Sequence, residues 1–391
     1  MNQLGHSRQP SPPVQGWVSP RFGPVRSAFA ENFASRGELG ASVCLFVGGE
    51  PVVDLWGGWQ DQGRRRPWQA DTLVNVFSVG KAVVALIVAR LVSQGLLSYD
   101  DPVARIWPEF GVNGKSAITV RQLLSHQAGL PAVRAPLRAG SVFDRGLMCR
   151  TLADHTPWWE PGTAHGYHVN TFGFLVGEIV GRVTGTTIGT YLRQEFAGPL
   201  GADFFFGLHG DESTRVADFV GMETAPTFSA DAITDEQRME RHAYFNPPEF
   251  SGSGVINTPA WRAAELPSTN GHASARGIAR IFNLLAGGGR HDGSVLVDAA
   301  VLAEAVTEQV YGEDLVLHRP SRFGIGFQLT QAERRLGPNA GSFGHFGAGG
   351  SLGFCDPDAG LAFGYAINTM GPRWQNPRNR ALIDACYDCL P

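Results

Sequence analysis

A long apolar helix with one charged side chain near its start constrains this chain more than any other feature. Between Asp71 and Arg90, only Lys81 is charged. Apolar residues occupy nearly every face of the segment 79–92, which is typical of a helix buried on all sides. Burying an ammonium is costly unless it is paired or loses its proton. The sequence therefore predicts a buried helix that contains an unusual lysine.

Ser78 precedes Lys81 by three residues, so both side chains lie on one helical face, one turn apart. A buried amine beside a hydroxyl suits a base beside a nucleophile. The alternative is a lysine that extends to the surface near a helix end, with Ser78 as the N-cap. This segment alone leaves both interpretations open.

Length and composition indicate a globular protein with two lobes or domains. The 391 residues exceed what one hydrophobic core usually supports, and 43% hydrophobic with 17% charged residues is typical of soluble proteins. A net charge of −4 offers no electrostatic argument for nucleic acid or an anionic membrane as a partner. The longest uncharged apolar stretch, Ala82 to Ala89, is too short to span a bilayer, and residues 1–16 lack the apolar core of a secretory signal. We therefore expect a cytoplasmic protein; its oligomeric state is not indicated.

The spacing of cysteines and histidines predicts no metal ion and no cofactor. The five cysteines are scattered, as reduced thiols are, and Cys386 and Cys389 have CxxC spacing without a second ligand pair. None of the eleven histidines stands in an H-x-x-x-H or H-E-x-x-H spacing.

Hydrophobic patterns predict an α+β fold with one antiparallel sheet built from both ends of the chain. A hairpin is predicted at 41–57, around Gly48-Gly49-Glu50. Further strands are predicted at 323–330, 342–346, 350–356 and 361–368, and further helices at 21–36, 119–126, 172–183, 187–196 and 273–286. The predicted organisation is an N-terminal extension (1–20), an α/β lobe (21–77 plus 265–391) and an inserted, mostly helical lobe (78–264) with loops over a pocket.

Two other segments favour a catalytic interpretation of Ser78 and Lys81. The segment 158–170 has a Pro-Gly turn followed by Tyr167 just before a predicted helix, which can place a phenol at the mouth of a cleft. The segment 343–351, Phe-Gly-His-Phe-Gly-Ala-Gly-Gly-Ser, predicts a strand edge with almost no side chains after His345. Such an edge exposes backbone N–H groups to an oxyanion.

With these three segments in this order, the chain resembles the serine β-lactamase and penicillin-binding-protein superfamily. It is most similar to the class-C-β-lactamase-like esterases, also called family VIII carboxylesterases. The resemblance covers roughly residues 20–375 and includes the segments Leu97-Ser-Tyr-Asp-Asp-Pro102, Leu123-Leu-Ser-His-Gln-Ala-Gly-Leu-Pro131 and Asp356-Pro-Asp-Ala-Gly360. It implies a serine β-lactamase-like fold, an antiparallel sheet flanked by helices with an inserted helical lobe.

The resemblance also implies roles for particular residues. Ser78 becomes the acylated nucleophile, Lys81 its proton partner and Tyr167 the acid/base for the leaving alcohol. Which of Lys81 and Tyr167 takes the serine proton stays open, and the two are treated as one coupled unit. The oxyanion hole is expected to consist of the backbone N–H groups of Ser78 and Ala348. The residues expected to contact substrate are His345, Gly347, Trp158, Trp159 and His168.

Two departures from the family pattern favour neutral esters over β-lactams. Where class C β-lactamases have Tyr-x-Asn, this chain has Tyr167-His-Val169, with Asn170 one position later. His345 stands in place of the lysine that binds the β-lactam carboxylate, which removes a fixed cation.

The function that follows is hydrolysis of small-molecule carboxylic esters with short-chain or small aromatic acyl groups. Trp158, Trp159 and Phe204 to Phe206 are expected to wall a compact apolar pocket. The alternatives are an acyltransferase, an amide or peptide hydrolase or a weak β-lactamase with the same nucleophile, and a non-catalytic binding protein. Ser351 lies in a G-x-S-x-G motif, but a strand and a turn follow it, so no nucleophile elbow is expected there. His168 is weighed both as a loop anchor and as a group that tunes the Tyr167 hydroxyl.

Overall fold

The computed structural model describes residues 14–224 and 233–390. Residues 1–13, most of the predicted N-terminal extension, lie outside the described residues. The strands in the described residues are β1 (Gln15–Val18), β2 (Gly40–Val47), β3 (Glu50–Gly58), β4 (Val74–Phe77), β5 (Phe204–Phe205), β6 (Gly271–Ala273), β7 (Arg290–His291), β8 (Ser294–Val295), β9 (Val310–Glu313), β10 (Pro320–Phe323), β11 (Gln328–Leu329), β12 (Phe343–Phe346), β13 (Leu352–Asp356) and β14 (Leu361–Ile367).

The α-helices are interspersed with short 3-10 turns, and a π-helical turn at Arg193–Ala197 joins two of them. In chain order they are α1 (Gly23–Ser35), α2 (Val79–Ser93), α3 (Val103–Ile106), α4 (Val120–Leu124), α5 (Arg145–Asp154), α6 (Thr171–Thr184), α7 (Ile188–Leu192), α8 (Gly198–Leu200), α9 (Asp235–Phe245), α10 (Pro259–Ala263), α11 (Ala275–Ala286), α12 (Ala299–Ala305) and α13 (Pro377–Tyr387).

A nine-stranded antiparallel sheet joins the two ends of the chain, in the order β1-β3-β2-β14-β13-β12-β11-β10-β9. The β2–β3 hairpin turns at Gly48 and Gly49, both with positive φ, and β2 pairs along its length with the C-terminal strand β14. The predicted α+β architecture and its antiparallel sheet are therefore confirmed.

Helices cover both faces of this sheet. Side chains alternate along β2, so Val43 and Leu45 pack towards α1 and α13 while Cys44 belongs to the core on the opposite face, where α11 packs. Gly364 in β14 makes this packing close: a Cβ there would lie 2.3 Å from the carbonyl oxygen of Ala275 in α11.

Helix α2 runs through the largest core cluster, and every residue from Val79 to Ala89 is buried. The prediction of a helix buried on all sides is confirmed. The extension of the Lys81 side chain to the surface is excluded, because the residue is 0% exposed.

Three details differ from the sequence predictions. The segment 323–330 forms two strands instead of one, because Gly326 with φ +82° lies in a turn between β10 and β11. The irregular segment 203–265 contributes β5 to a three-stranded sheet, β4-β6-β5. Strand β12 lies inside the sheet, between β11 and β13. On the side of β11 only its last two residues lack a strand partner, because β11 pairs only with Phe343 and Gly344.

At the N-terminus, β1 pairs with β3, so the sheet begins inside the predicted extension. The boundaries of the two lobes stay a prediction. No helix in residues 14–224 or 233–390 is both long and apolar enough to cross a membrane.

Candidate active site

Ser78 is placed by the sharp junction between β4 and α2. Phe77 has φ +49°, a left-handed conformation that is rare for a bulky residue and is held only when the surroundings enforce it. Those surroundings include the ring of Phe219, edge-on at 4.9 Å, and Asn75, whose side chain donates to the carbonyl of Thr269 at 3.0 Å. Ser78 is the N-cap of α2 but makes no capping hydrogen bond with that helix. Its hydroxyl is therefore available for other contacts.

Lys81 contacts three oxygens and no carboxylate. Its Nζ donates to the carbonyls of Val169 (2.6 Å) and Ser268 (3.0 Å) and lies 3.2 Å from Ser78 Oγ. No acidic side chain in the described residues lies within ion-pair distance of it. Burial lowers the pKa of Lys81 well below its ordinary value of 10.5, because no opposite charge compensates for the lost hydration.

The contacts of Nζ suit a neutral amine. A neutral amine has two N–H bonds and one lone pair. The carbonyls of Val169 and Ser268 accept the two N–H bonds, which leaves the lone pair for the hydroxyl of Ser78. In that state the hydroxyl of Ser78 donates to Nζ at 3.2 Å and not to its other acceptor, the carbonyl of Ser268, at 3.4 Å.

Tyr167 lies beside this pair, in the loop before α6. Nζ of Lys81 lies 4.7 Å from the centroid of the Tyr167 ring. The ring stacks on Phe323, with centroids 5.8 Å apart and planes at 6°, and meets His126 and Trp374 edge-on at 4.9 and 5.3 Å. This aromatic packing leaves the phenol 1% exposed.

A buried carboxylate fixes the backbone of Tyr167. Asp314 Oδ1 accepts the N–H of Tyr167 at 3.0 Å and also those of Val316 and Leu317, while Oδ2 accepts the hydroxyl of Ser321 at 2.7 Å. Asp314 is 0% exposed, and these four hydrogen bonds satisfy both of its carboxyl oxygens without an ion pair among the described residues.

The hydroxyl of Tyr167 retains its proton and lies close to His345. Burial raises the pKa of Tyr167 well above its ordinary value of 10.0, although a hydrogen bond with Ser78 offsets part of the rise. Nδ1 of His345 donates to the carbonyl of Phe346 at 2.7 Å, so its Nε2 is the acceptor that faces Tyr167 Oη, at 3.5 Å. Burial and the nearby Lys81 lower the pKa of His345 to about 3, so its imidazole is neutral.

The turn after β12 brings the backbone of Ala348 close to the Ser78 junction. A Cβ on Gly347 would lie 2.3 Å from the carbonyl oxygen of Val76, so only glycine permits this approach. The turn is held from α13, where Asn376 and Arg378 donate to the carbonyl of Gly349 at 3.0 and 3.2 Å.

The other predicted contact residues divide into two groups. Trp158 and Trp159 border a cavity of about 260 Å³. Its other lining residues are Met239, Leu315 and the charged Arg134, Asp235 and Glu236, and Ser78, Lys81 and Tyr167 are not among them. Both nitrogens of the buried His168 are occupied: Nδ1 by the carbonyl of Gly166 at 2.7 Å and Nε2 by the N–H of Leu130 at 2.9 Å. This geometry favours the loop-anchor interpretation of His168 and leaves no polar atom for substrate.

The three phenylalanines at 204–206 do not border that cavity. Phe204 and Phe206 belong to the largest core cluster, and Phe205 belongs to a small cluster with Leu73, Leu208 and Val216. The predicted pocket wall is corrected at these positions, because β5 carries the segment into the interior against β6.

Sequence reasoning missed the two carbonyls, of Val169 and Ser268, that hold Lys81. A carbonyl carries no side-chain signature, so no motif identifies it. Asn170 is displaced from the family position, and its Nδ2 donates to Ala243 in α9 at 2.9 Å. Within the described residues, no group of three or more His, Cys, Asp or Glu side chains is arranged to hold a metal ion.

Comparison with known proteins agrees with the observed fold. The sequence profile of the Beta-lactamase family matches residues 25–386, and the chain belongs to this family. It is 35% identical to the esterase/β-lactamase LipL of Mycobacterium tuberculosis over 369 residues, which cover 91% of this chain and 83% of LipL.

Two solved structures are similar over nearly the whole chain. A family VIII carboxylesterase is 41% identical with a TM-score of 0.89, covering 97% of this chain and 100% of that one. A penicillin-binding-protein homologue from Caulobacter crescentus is 41% identical with a TM-score of 0.88 and the same coverage. The predicted resemblance and the serine β-lactamase-like fold are confirmed.

Proposed function

We propose that this protein is a serine hydrolase that cleaves carboxylic esters through an acyl-Ser78 intermediate. The observation that carries the proposal is the environment of Lys81, a buried amine with two carbonyl acceptors and a serine hydroxyl at 3.2 Å. Such an amine can accept the serine proton without first losing one of its own.

In the first step, Ser78 Oγ attacks the ester carbonyl carbon while its proton moves to Nζ of Lys81. The carbonyl oxygen becomes an oxyanion, for which the backbone N–H groups of Ser78 and Ala348 are the proposed donors. One such donor typically contributes ~10²–10³ in rate. The new ammonium lies near the face of the Tyr167 ring, where cation–π attraction offsets part of the cost of burying it.

In the second step, the C–O bond to the leaving alcohol breaks. The neutral phenol of Tyr167 donates its proton to the departing oxygen and regains one from the ammonium of Lys81. His345, neutral and facing Oη, orients the phenol. Water then repeats the sequence on the acyl-enzyme and releases the acid.

We further propose that the acyl group is short or a small aromatic ring. In this proposal the acyl group lies in the cavity beside Trp158 and Trp159, whose volume of about 260 Å³ is below the usual range of roughly 300–1,000 Å³ for ligand pockets. Among p-nitrophenyl esters of increasing acyl length, we expect the highest kcat/KM at short chains. A maximum at long chains would contradict this assignment.

The nucleophile is tested by labelling with a fluorophosphonate and mapping the adduct by mass spectrometry. We expect one adduct, on Ser78, which is lost together with esterase activity in Ser78→Ala. Ser351→Ala is the matched control: Ser351 is buried in the G-x-S-x-G motif, and its hydroxyl accepts the N–H of Ile367 at 3.3 Å. Labelling of Ser351, or activity that survives Ser78→Ala, would refute the proposal.

Partition of the acyl group between water and an added alcohol distinguishes the hydrolase from an acyltransferase. We expect the free acid to remain the main product at moderate alcohol concentration. Predominant transfer to the alcohol would assign the transferase function to the same nucleophile.

A further inference from the structure

Two arginines lie on the aromatic ring that packs against Tyr167. The guanidinium carbon of Arg319 lies 4.7 Å from the centroid of the Trp374 ring, and that of Arg334 lies 5.9 Å from it. The same ring lies 5.3 Å from Tyr167 and 6.3 Å from His345. Trp374 thus separates two positive charges from the acid/base group by the width of one side chain.

Neither arginine has a carboxylate partner in the described parts of the chain. Arg334 is 7% exposed; its Nη2 donates to the carbonyl of Pro320 at 2.8 Å and to Gln331 at 3.0 Å, and its Nε has no partner there. The half-buried Arg319 forms no hydrogen bond or ion pair with the described residues. Buried charges are normally paired, so this arrangement is costly without a ligand.

The acidic groups nearest to the pair are already engaged. All four hydrogen bonds of Asp314 come from backbone N–H groups and Ser321. Glu333 accepts from Gln331 at 2.9 Å and is close to Tyr311. These carboxylates contribute to the local field but accept no hydrogen bond from either guanidinium group.

The pKa shifts of nearby groups agree with two guanidinium groups placed close to each other and to Tyr167. Burial, and the repulsion of Arg319, lower the pKa of Arg334 to about 10. The charge of Arg319 also acts to lower the pKa values of Tyr167 and Tyr244, which places it within electrostatic reach of the reacting groups. A bound anion would relieve the repulsion between the two guanidinium groups.

We propose that Arg319 and Arg334 form a subsite for an anionic group, a carboxylate, carried by the ester whose carbonyl is attacked by Ser78. This inference rests on the proposed function and specifies its substrate class. It replaces the expectation of neutral esters, which considered only position 345. His345 supplies no cation, but the two guanidinium groups beyond Trp374 do, and guanidinium geometry matches a carboxylate.

Two pairs of esters test the subsite and locate the carboxylate. In the first pair the charge is on the acyl side, with p-nitrophenyl hydrogen glutarate compared with the p-nitrophenyl ester of glutaramic acid. In the second pair it is on the alcohol side, with meta-acetoxybenzoate compared with meta-acetoxybenzamide. We expect kcat/KM of the wild type to be higher for the anionic member by about tenfold in one of the two pairs.

Substitution then assigns the preference to the arginines. In Arg319→Gln we expect the anionic-to-neutral ratio to fall towards one, whereas Arg319→Lys retains part of it. Arg335→Gln is the matched control, because Arg335 is exposed, follows Arg334 in the loop between β11 and β12, and its loss removes the same charge close to the pair. Its ratio is expected to stay that of the wild type. Arg319 is half-buried, so its variants remain informative even where Arg334→Gln fails to fold.

The outcomes separate this inference from the proposed function. Turnover of the neutral esters with fluorophosphonate labelling at Ser78, but without anionic preference in either pair, overturns the subsite alone. A preference that is unchanged in Arg319→Gln also overturns it. Absence of turnover and of labelling overturns the proposed function, and the subsite with it.

Discussion

The side-chain nitrogen of Lys81 lies 3.2 Å from Oγ of Ser78, and two backbone carbonyls accept its other hydrogen bonds. No acidic side chain in the described residues stabilises a charge on this nitrogen. In the proposed mechanism this amine is the base that accepts the proton of Ser78, so its protonation state controls the attack on the ester.

The activity is expected to depend on pH through Lys81. The pKa of Lys81 is well below 10.5, and only the neutral amine accepts the serine proton, so kcat/KM rises as pH increases through that lowered pKa. His345 and His168, each with a pKa of about 3, do not contribute to a transition near neutrality. The measurement is kcat/KM for an activated ester across about pH 5 to about pH 9. A kcat/KM that falls as pH rises across that range would contradict the role of Lys81 as the base.

The same group predicts how stability changes with pH. Between the lowered pKa of native Lys81 and 10.5, the unfolded chain binds a proton that the native chain lacks, so stability increases with pH in this window. Lys81→Met removes the effect. We expect the stability difference, variant minus wild type, to decrease by about 1.4 kcal/mol per pH unit as pH rises through the window. Denaturant unfolding of both proteins at several pH values measures this, and a constant difference would show that Lys81 is charged in the native state.

Tyr167→Phe separates proton donation to the leaving group from the other steps. A p-nitrophenolate departs without protonation, whereas an alkoxide does not. We therefore expect kcat for alkyl esters to fall by ~10²–10⁴, and kcat for p-nitrophenyl esters to fall much less. The ring packing on Phe323 does not involve the hydroxyl, so the variant should fold. An equal loss for both kinds of ester would assign Tyr167 to the attack step instead.

The buried ion pair of Glu38 and Arg378 is expected to support both stability and the turn at Ala348. The two side chains are 2.9 Å apart and almost fully buried, and the same guanidinium donates to the carbonyl of Gly349. Glu38→Gln leaves the charge of Arg378 buried without a counter-charge, which should cost about 3–5 kcal/mol of unfolding free energy. Replacing both residues by leucine and methionine should cost less than the two single changes added together.

The exposed pair of Arg380 and Asp384 is the control for this measurement. The two side chains form an ion pair on α13, and Asp384→Asn should change stability by less than about 1 kcal/mol. Urea unfolding completes the comparison; the six proteins are the wild type, Glu38→Gln, Glu38→Leu, Arg378→Met, the Glu38→Leu/Arg378→Met double variant and Asp384→Asn. Additive losses at Glu38 and Arg378 would indicate that the two residues act independently.

Local patterns were sufficient for most of the fold. Three elements were predicted from their hydrophobic periodicity: the apolar helix α2, the Gly48-Gly49 hairpin and the alternating strands near the C-terminus. Each buries one face or all faces, and the spacing of apolar residues along the chain indicates which faces are buried. Prediction failed where one residue interrupts a pattern. Gly326 divides the segment 323–330 into two strands. Strand β5 is defined by its pairing with β6, which is distant in the sequence.

The sequence by itself determined that Ser78 and Lys81 share one face of a buried helix, because helical spacing is a local property of the chain. Only the tertiary structure decided what surrounds them. The carbonyl of Ser268, 187 positions from Lys81, accepts one of its N–H bonds. Two arginines without a carboxylate partner in the described residues lie against Trp374, at the edge of the site. Such contacts depend on how distant segments pack, and neither a backbone carbonyl nor the absence of a counter-charge leaves a pattern in the residues.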